Sequence, residues 1–364
     1  MLVLRCALAT ALLFASAPLH AEPQSSGQPE ASEPSGDASD AEAPPISPGV
    51  LPTLAAIIPG VLIHGSGHYV AGDKKTAIKL LKWQAIGLSL AAASSLFLRL
   101  SGGSRYGNEI TIPMVVTGTG LMFGTLFADI FGSAGGGNGY HYDKAANQAA
   151  TLGYAYIHDP NFSYRHFSRA AGRVEVDDFR VEPLLWTALD DDNQRARLPI
   201  RYRILSNDQG EYLEATTAFT YHHFGSEEFS TYVGELSVGG RMEMQRIGET
   251  LRGSFATMSV GAGWQVTDYS PSGLGSDSLA LLLGHYGYGF YLPKSGELEM
   301  YYEHRRDNFT AGSSPSSRNG SGFLGHFGVK LRQPISRQFA IQAQAEIGSA
   351  YLLTTGLEVQ WGRR

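Results

Sequence analysis

Two histidines four residues apart are the first candidates for chemistry in this 364-residue chain. They sit in Pro59-Gly-Val-Leu-Ile-His64-Gly-Ser-Gly-His68-Tyr-Val-Ala-Gly72-Asp73. On an unbroken helix His64 and His68 share one face and can co-ligate a metal, with Asp73 as a further donor. The zinc-protease helix needs a glutamate directly after its first histidine; here that place holds Gly65. The plainer reading is a tight helix bend of small residues, with both histidines and Asp73 hydrogen-bonded at an interface. On that reading no metal is expected.

A second constellation is an arginine row. Arg195, Arg197, Arg201 and Arg203 alternate with Ala196, Leu198, Ile200, Tyr202 and Ile204. In a strand this puts all four guanidiniums on one face. Glu214, Glu235, Glu297, Glu299, Glu303, Glu346 and Glu358 hold the corresponding polar positions of other alternating segments. In an aqueous pore such a row selects anions. In a narrow interior filled by side chains, the arginines pair with the glutamates instead. The paired interior is expected, because unpaired buried charge is costly.

The third constellation is that of an acyl hydrolase, which needs a hydroxyl nucleophile and a histidine base. His304, Ser278 and Ser321 look outward by parity near one rim, with Asn319 close by. Arg305 and Arg306 follow the histidine directly, so no serine is closely spaced with it. The plainer reading is a rim histidine near lipid head groups. No phosphate loop, dinucleotide fingerprint or zinc cluster is present, and no cofactor is expected.

Two kinds of element must carry these groups. From about Gln148 onward the hydrophobic period is two. Phe339, Ile341, Ala343, Ala345 and Ile347 alternate with Gln338, Gln342, Gln344 and Glu346. Tyr351, Leu353, Thr355, Leu357, Val359 and Trp361 alternate with Leu352, Thr354, Gly356, Glu358 and Gln360. Many such segments in series predict a transmembrane antiparallel β-barrel, with lipid outside and a polar lumen inside. Eleven strands are clear, and single-chain bacterial barrels have even counts. A further strand is therefore expected in Phe162 to Ala170, after an Asp159-Pro160-Asn161 turn, making about twelve; ten is the alternative. Pro183 and Pro199 disturb the region in between, since neither can donate to a ladder. With the C-terminus periplasmic, Leu292 to Gly296 and Gln333 to Ser336 are short periplasmic turns. Asp268 to Ser276 and Asp307 to Gly322 are then long extracellular loops.

From Leu51 to about Ala134 the period is helical. Three apolar segments are expected: Leu51 to Ala71, Lys74 to Leu100 and Ile110 to Phe131, with Ser101 to Asn108 as a loop. The last two are long enough to cross a bilayer, which takes about 20 residues. Their small residues (Thr117, Gly118, Thr119, Gly120, Gly124) suit close helix packing. A helical module packed on the periplasmic mouth or outer wall of the barrel reconciles them with it. Met1 to Ala21 reads as a secretory signal peptide, with Arg5 ahead of the apolar run Ala7 to Ala17. The lone cysteine, Cys6, lies inside it, which leaves no disulfide framework. Glu22 to Gly49 is acidic and rich in Pro and Ser, and is expected to be disordered. The expected division is 1–21 signal, 22–50 linker, 51–134 helical module, 135–148 Gly-rich joint and 149–364 barrel. Net charge is -6, with much of the acidity in the linker, which argues against nucleic-acid binding.

Thr354, Gly356, Val359 and Trp361 resemble the C-terminal β-signal of bacterial outer-membrane barrels, polar-x-Gly-x-x-apolar-x-aromatic. Gly362, Arg363 and Arg364 follow the aromatic, a departure from that pattern. The resemblance implies outer-membrane lipid and the barrel-assembly machinery as partners. Outer-membrane phospholipase and lipid A deacylase are twelve-stranded families of similar architecture, which keeps a lipid-acting hydrolase as an alternative. The stretch around His64 is similar to Pro-Gly-x-Gly-x-x-Tyr-x-x-Gly helical-hairpin motifs of small bacterial membrane proteins, which imply no activity. The expected function is an outer-membrane barrel acting as a narrow channel or in a structural or docking role. The helical module leaves room for a periplasmic partner. A second alternative is an inner-membrane helical protein with a periplasmic β-domain.

Overall fold

The computed structural model describes residues 49–100, 105–136, 140, 142, 145–160, 162–269, 273, 275–305, 307–310 and 325–362. The expected signal peptide and most of the linker lie outside them, as does Ser321.

Thirteen strand segments form one antiparallel sheet. They are β1 (Gln148–His158), β2 (His166–Val176), β3 (Phe179–Val181), β4 (Leu184–Ala188), β5 (Asn193–Ser206), β6 (Tyr212–Phe224) and β7 (Phe229–Glu243). They continue with β8 (Ser254–Asp268), β9 (Ser276–Leu292), β10 (Gly296–His304), β11 (His326–Pro334), β12 (Phe339–Ile347) and β13 (Tyr351–Trp361). Except for β3 and β4, which do not pair with each other, chain neighbours pair, and β13 pairs back on β1, from Gln148 opposite Trp361 to His158 opposite Tyr351. Segments β3 and β4 occupy one place between β2 and β5, so the closed barrel has twelve staves.

Glu182 and Pro183 separate those two segments. Pro183 has no N–H to give to a ladder. Its carbonyl still accepts from Gly172 N at 2.8 Å, and Glu182 N donates to Pro199 O at 3.1 Å. The stave is bent at this point but not lost. The expected extra strand is β2, and the ten-strand alternative does not hold.

Closure leaves no sheet edge, and lipid can face only apolar side chains. In β13 the outward Tyr351, Leu353 and Trp361 are exposed at 56%, 56% and 48%, whereas the inward Glu358 is 3% exposed. The protein is an outer-membrane β-barrel, closed along the full length of β1 and β13. The alternative of a periplasmic β-domain fails, because a closed barrel with an exposed apolar wall has its partner in lipid.

Among the described residues, four helices precede the barrel: α1 (Val50–Ile57), α2 (Ser66–Val70), α3 (Lys74–Leu100) and α4 (Arg105–Ser133). The expected helix Leu51 to Ala71 is thus two short helices. Between them Pro59 breaks the ladder, and Gly65 takes φ +92°, a left-handed conformation that suits glycine. The expected loop Ser101 to Asn108 is shorter, because α4 already begins at Arg105.

Helices α3 and α4 form an antiparallel hairpin. A Cβ on Gly87 would stand 2.6 Å from the Gly118 carbonyl oxygen, and one on Gly118 would stand 2.5 Å from that of Gly87. The two backbones touch there, which only glycine permits. At 1.5 Å per residue, α3 is about 40 Å long, enough to cross the hydrocarbon core.

The hairpin lies against the outer wall of the barrel. Thr117 Oγ1 is 2.6 Å from the Tyr286 hydroxyl. Phe127 stacks on Tyr288 at 6.3 Å, Phe131 on Phe290 at 5.7 Å, and Phe123 meets Phe327 edge-on at 6.3 Å. Tyr286 and Tyr288 would by alternation alone belong to an interfacial girdle. They are instead buried under α4, while Tyr154, Trp264, Tyr351 and Trp361 remain exposed on the wall.

Candidate functional site in the barrel lumen

Parity brings all four arginines of the row, and all seven glutamates, to the lumen. Near the end where the chain enters and leaves the barrel, Arg201 donates to Glu214 at 2.6 Å, and its Nε lies 2.8 Å from Glu182. Arg180 reaches the other oxygen of Glu214 at 2.8 Å, and Arg203 pairs with Glu175 at 2.9 Å. Across the barrel Arg332 pairs with Glu358 at 2.9 Å, and Gln342 donates to the same carboxylate at 2.5 Å. Arg241 lies 3.4 Å from Glu297, donates to the Tyr291 hydroxyl at 2.6 Å, and covers the Phe255 ring at 3.6 Å. At mid-height Thr257 donates to Glu299, and His285 Nε2 lies 3.2 Å from it.

Towards the extracellular end, Arg197 pairs with Glu235 at 2.9 Å. Arg305 reaches the other oxygen of Glu235 at 2.9 Å and also holds Asp307. Arg195 lies 3.6 Å from Asp307 and donates to Asn308 at 2.9 Å. Buried polar groups of this kind persist where their partners are in place.

The segment after β10 folds into the lumen rather than away from it. Phe309 is 6% exposed and has ring centroids of Phe167 at 5.4 Å, Trp186 at 5.6 Å and Tyr164 at 5.8 Å. His222 approaches it from β6 at 5.0 Å, and the Arg195 guanidinium lies over its face at 5.3 Å. These aromatics form an apolar cluster at this end of the lumen. Thr310 then bonds Glu346 at 2.7 Å, and its carbonyl accepts from Ser349 N at 3.0 Å.

The histidine motif is not a shared helix face. Helix α2 starts only at Ser66, so His64 precedes it and points elsewhere. His64 Nδ1 is 2.6 Å from Thr125 Oγ1, and its backbone N donates to Gln84. Burial holds the His64 pKa below its ordinary value, against the opposing pull of Asp129. His68 Nδ1 is 2.7 Å from Asp129 Oδ1, and its Nε2 is 3.1 Å from Thr250 Oγ1. Thr250 in turn donates to Asp73 at 3.1 Å. Both ring nitrogens of His68 are therefore engaged, and His64, His68 and Asp73 do not converge on one metal position.

Thr250 belongs to the ten-residue turn 244–253 between β7 and β8. This turn is long for a periplasmic one, and it grips the helices. Lys79 donates to Ile247 O at 2.6 Å, and Leu251 is fully buried in a cluster with Leu80 and Ala128. The turn is thus a clasp joining the helical module to the barrel.

Of the hydrolase candidates, His304 and Ser278 are not brought together, and Ser321 lies outside the described residues. His304 is opposite Gly284 on β9, so Ser278 stands six residues further along that strand, about 20 Å away. His304 instead has Tyr302 OH 3.1 Å from its Nδ1.

Several lumen groups escaped the sequence reading. Glu175 and Glu182 lay in the region disturbed by Pro183. Asp307 and Phe309 lie in a loop, where no alternation announces an inward direction.

No family model matches the chain, and no curated protein is similar to it in sequence. Among solved structures it is similar to the KdgM porin, at 9% identity over 58% of this chain and 99% of that one, with a TM-score of 0.38. It is similar to the NanC porin, at 8% identity over 58% of this chain and 100% of that one, with a TM-score of 0.40. An outer membrane channel from Pseudomonas putida F1 matches at 11% identity, over 61% of this chain and 98% of that one, with a TM-score of 0.37.

Proposed function

We propose that the protein is a closed outer-membrane barrel with an ion-paired interior, whose role is structural: it holds the helical hairpin at the membrane. The observation that carries this reading is Phe309, folded inward and packed among Tyr164, Phe167 and Trp186 at one end of the lumen. Beneath it each arginine of the row is within 4 Å of a carboxylate, so the row itself is neutralised. Twelve-stranded barrels are small enough for side chains to occupy much of the interior. The closing strand β13 is the natural segment for the barrel-assembly machinery to engage, and outer-membrane lipid is the partner of the wall.

A narrow channel is the second reading. It is favoured by Lys330, whose side chain is exposed, and by Arg169, which faces the Trp186 ring rather than a carboxylate. On this reading withdrawal of the Phe309 segment opens the path. Planar-bilayer recording separates the two. The structural reading expects no steady conductance from the purified, heat-modifiable protein. Steady ion-selective openings from the unaltered protein would overturn it.

A further inference from the structure

Three possible metal ligands meet at the extracellular end of the lumen. Glu303 and His326 are directly opposed on β10 and β11, and Glu346 is opposite Gly328, one inward position along from His326. His326 Nε2 lies 3.3 Å from Glu303 Oε2 and 3.4 Å from Glu346 Oε2. The three donor atoms all lie within 4.8 Å of one another.

His326 is 0% exposed, and its Nε2 faces both carboxylates at separations and angles poor for a hydrogen bond. A buried imidazole whose polar contacts are this poorly formed is costly and calls for an explanation. Charge-assisted N–H···O bonds run to about 2.7–2.9 Å, shorter than either separation here. Ligands held about 2.05 Å from a tetrahedral zinc ion stand about 3.3 Å apart. The two distances fit the edges of a coordination tetrahedron better than they fit hydrogen bonds.

The surroundings hold the ligands in place. Glu346 Oε1 accepts from Tyr301 OH at 2.9 Å and Gln344 Nε2 at 2.6 Å, while its Oε2 accepts from Thr310 at 2.7 Å and Asn308 at 3.4 Å. Such outer contacts orient ligating carboxylates. The charges are also unbalanced. Among the described groups at this mouth, Glu235, Glu303, Asp307 and Glu346 face Arg195, Arg197 and Arg305. A proton on His326 or a bound cation brings the cluster to balance.

We propose that Glu303, His326 and Glu346 bind one divalent first-row transition cation of the zinc type. A mixed imidazole and carboxylate set favours Zn²⁺, Mn²⁺ or Fe²⁺ over Ca²⁺ and Mg²⁺. Three protein ligands leave a fourth position for water. The bound ion ties β10, β11 and β12 together at the mouth. Through Glu346 it also steadies Thr310 and Asn308 beside the Phe309 cover. The site stands whether or not the lumen conducts.

The test is a Zn²⁺ titration of chelator-stripped, heat-modifiable protein, with the metal content counted. Crystals of the unaltered protein, measured at the zinc absorption edge, locate the ion without any variant. The expected result is one zinc per chain, with its anomalous peak between these three residues. Glu346→Gln and His326→Asn should each weaken binding roughly a hundredfold, ligand loss exceeding the 10–100-fold typical of outer-contact loss at its lower end. No retained zinc means that a proton, rather than a metal, balances the cluster, and overturns the proposal. A peak elsewhere, or unchanged affinity in both folded variants, does the same.

Discussion

His68 and Asp129 are joined twice through one oxygen: Asp129 Oδ1 accepts from the His68 backbone N at 3.0 Å and lies 2.7 Å from His68 Nδ1. The other oxygen accepts from Gly65 N at 2.8 Å and Gly67 N at 3.2 Å. One carboxylate on α4 therefore satisfies the start of α2, whose first N–H groups have no partner within the helix. Through Thr250 the same histidine touches the barrel. The motif that reads as metal chemistry in sequence is the join between the two halves of the fold.

Asp129→Ala leaves four buried donors without an acceptor. Each costs about 1–3 kcal/mol, so the module should lose on the order of 3–5 kcal/mol after relaxation. The barrel has its own closed ladder and should remain heat-modifiable. Hydrogen exchange should show loss of protection in residues 59–71, with β11 to β13 unchanged. Equal protection in variant and parent would show that the join is dispensable.

Asp73 makes the clasp sensitive to acid. Burial raises its pKa, but hydrogen bonds from Thr76 and Thr250 outweigh burial and hold it below its ordinary value of 3.8. A carboxyl depressed in the folded state stabilises that state above the unfolded pKa, and the gain fades as pH falls through the folded one. Protection of the 244–253 turn should be level from pH 8 to about 5 and decline below about 4. Asp73→Asn should remove that acid-dependent step. A decline centred near pH 6 would assign the effect to a histidine instead.

The barrel was legible because lipid outside and charge inside write a period of two into β12 and β13. Even β2 could be inferred, from the requirement for an even count. Arg201 and Glu214 were legible as lumen residues by parity, but Glu182 as their neighbour was not, because pairing needs register across Pro183. The hairpin's seat was hidden for another reason. Tyr286 and Tyr288 face an apolar environment whether lipid or α4 covers them, so the two cases share one sequence pattern. The inward fold of Phe309 lies in a Gly- and Ser-rich loop, where side-chain direction has no period.

Phe309→Ala tests the cover. Removing a buried phenylalanine costs about 3–5 kcal/mol locally. Arg195 also loses the ring beneath its guanidinium. The variant should show conductance bursts in planar bilayers where the parent is silent, with the twelve-stranded barrel still folded. If bursts appear, Arg197→Gln in the same background should shift their ion preference, since Arg197 lines the path just below. A silent Phe309→Ala variant would mean that the ion pairs alone close the lumen.

The hairpin offers two glycines in one helix with opposite expectations. A Cβ at Gly118 would stand 2.5 Å from the Gly87 carbonyl oxygen and 2.8 Å from Ala91 N, both backbone atoms that cannot turn aside. A Cβ at Gly124 would meet nothing within 4 Å. Gly118→Val should therefore push α3 and α4 apart, costing about 1–3 kcal/mol as overpacking does. Gly124→Val should change little. Cysteine pairs introduced across α3 and α4 would report the spacing by cross-linking yield, which should fall for Gly118→Val and hold for Gly124→Val. Equal yields in both would mean that the helices are held by the barrel wall rather than by each other.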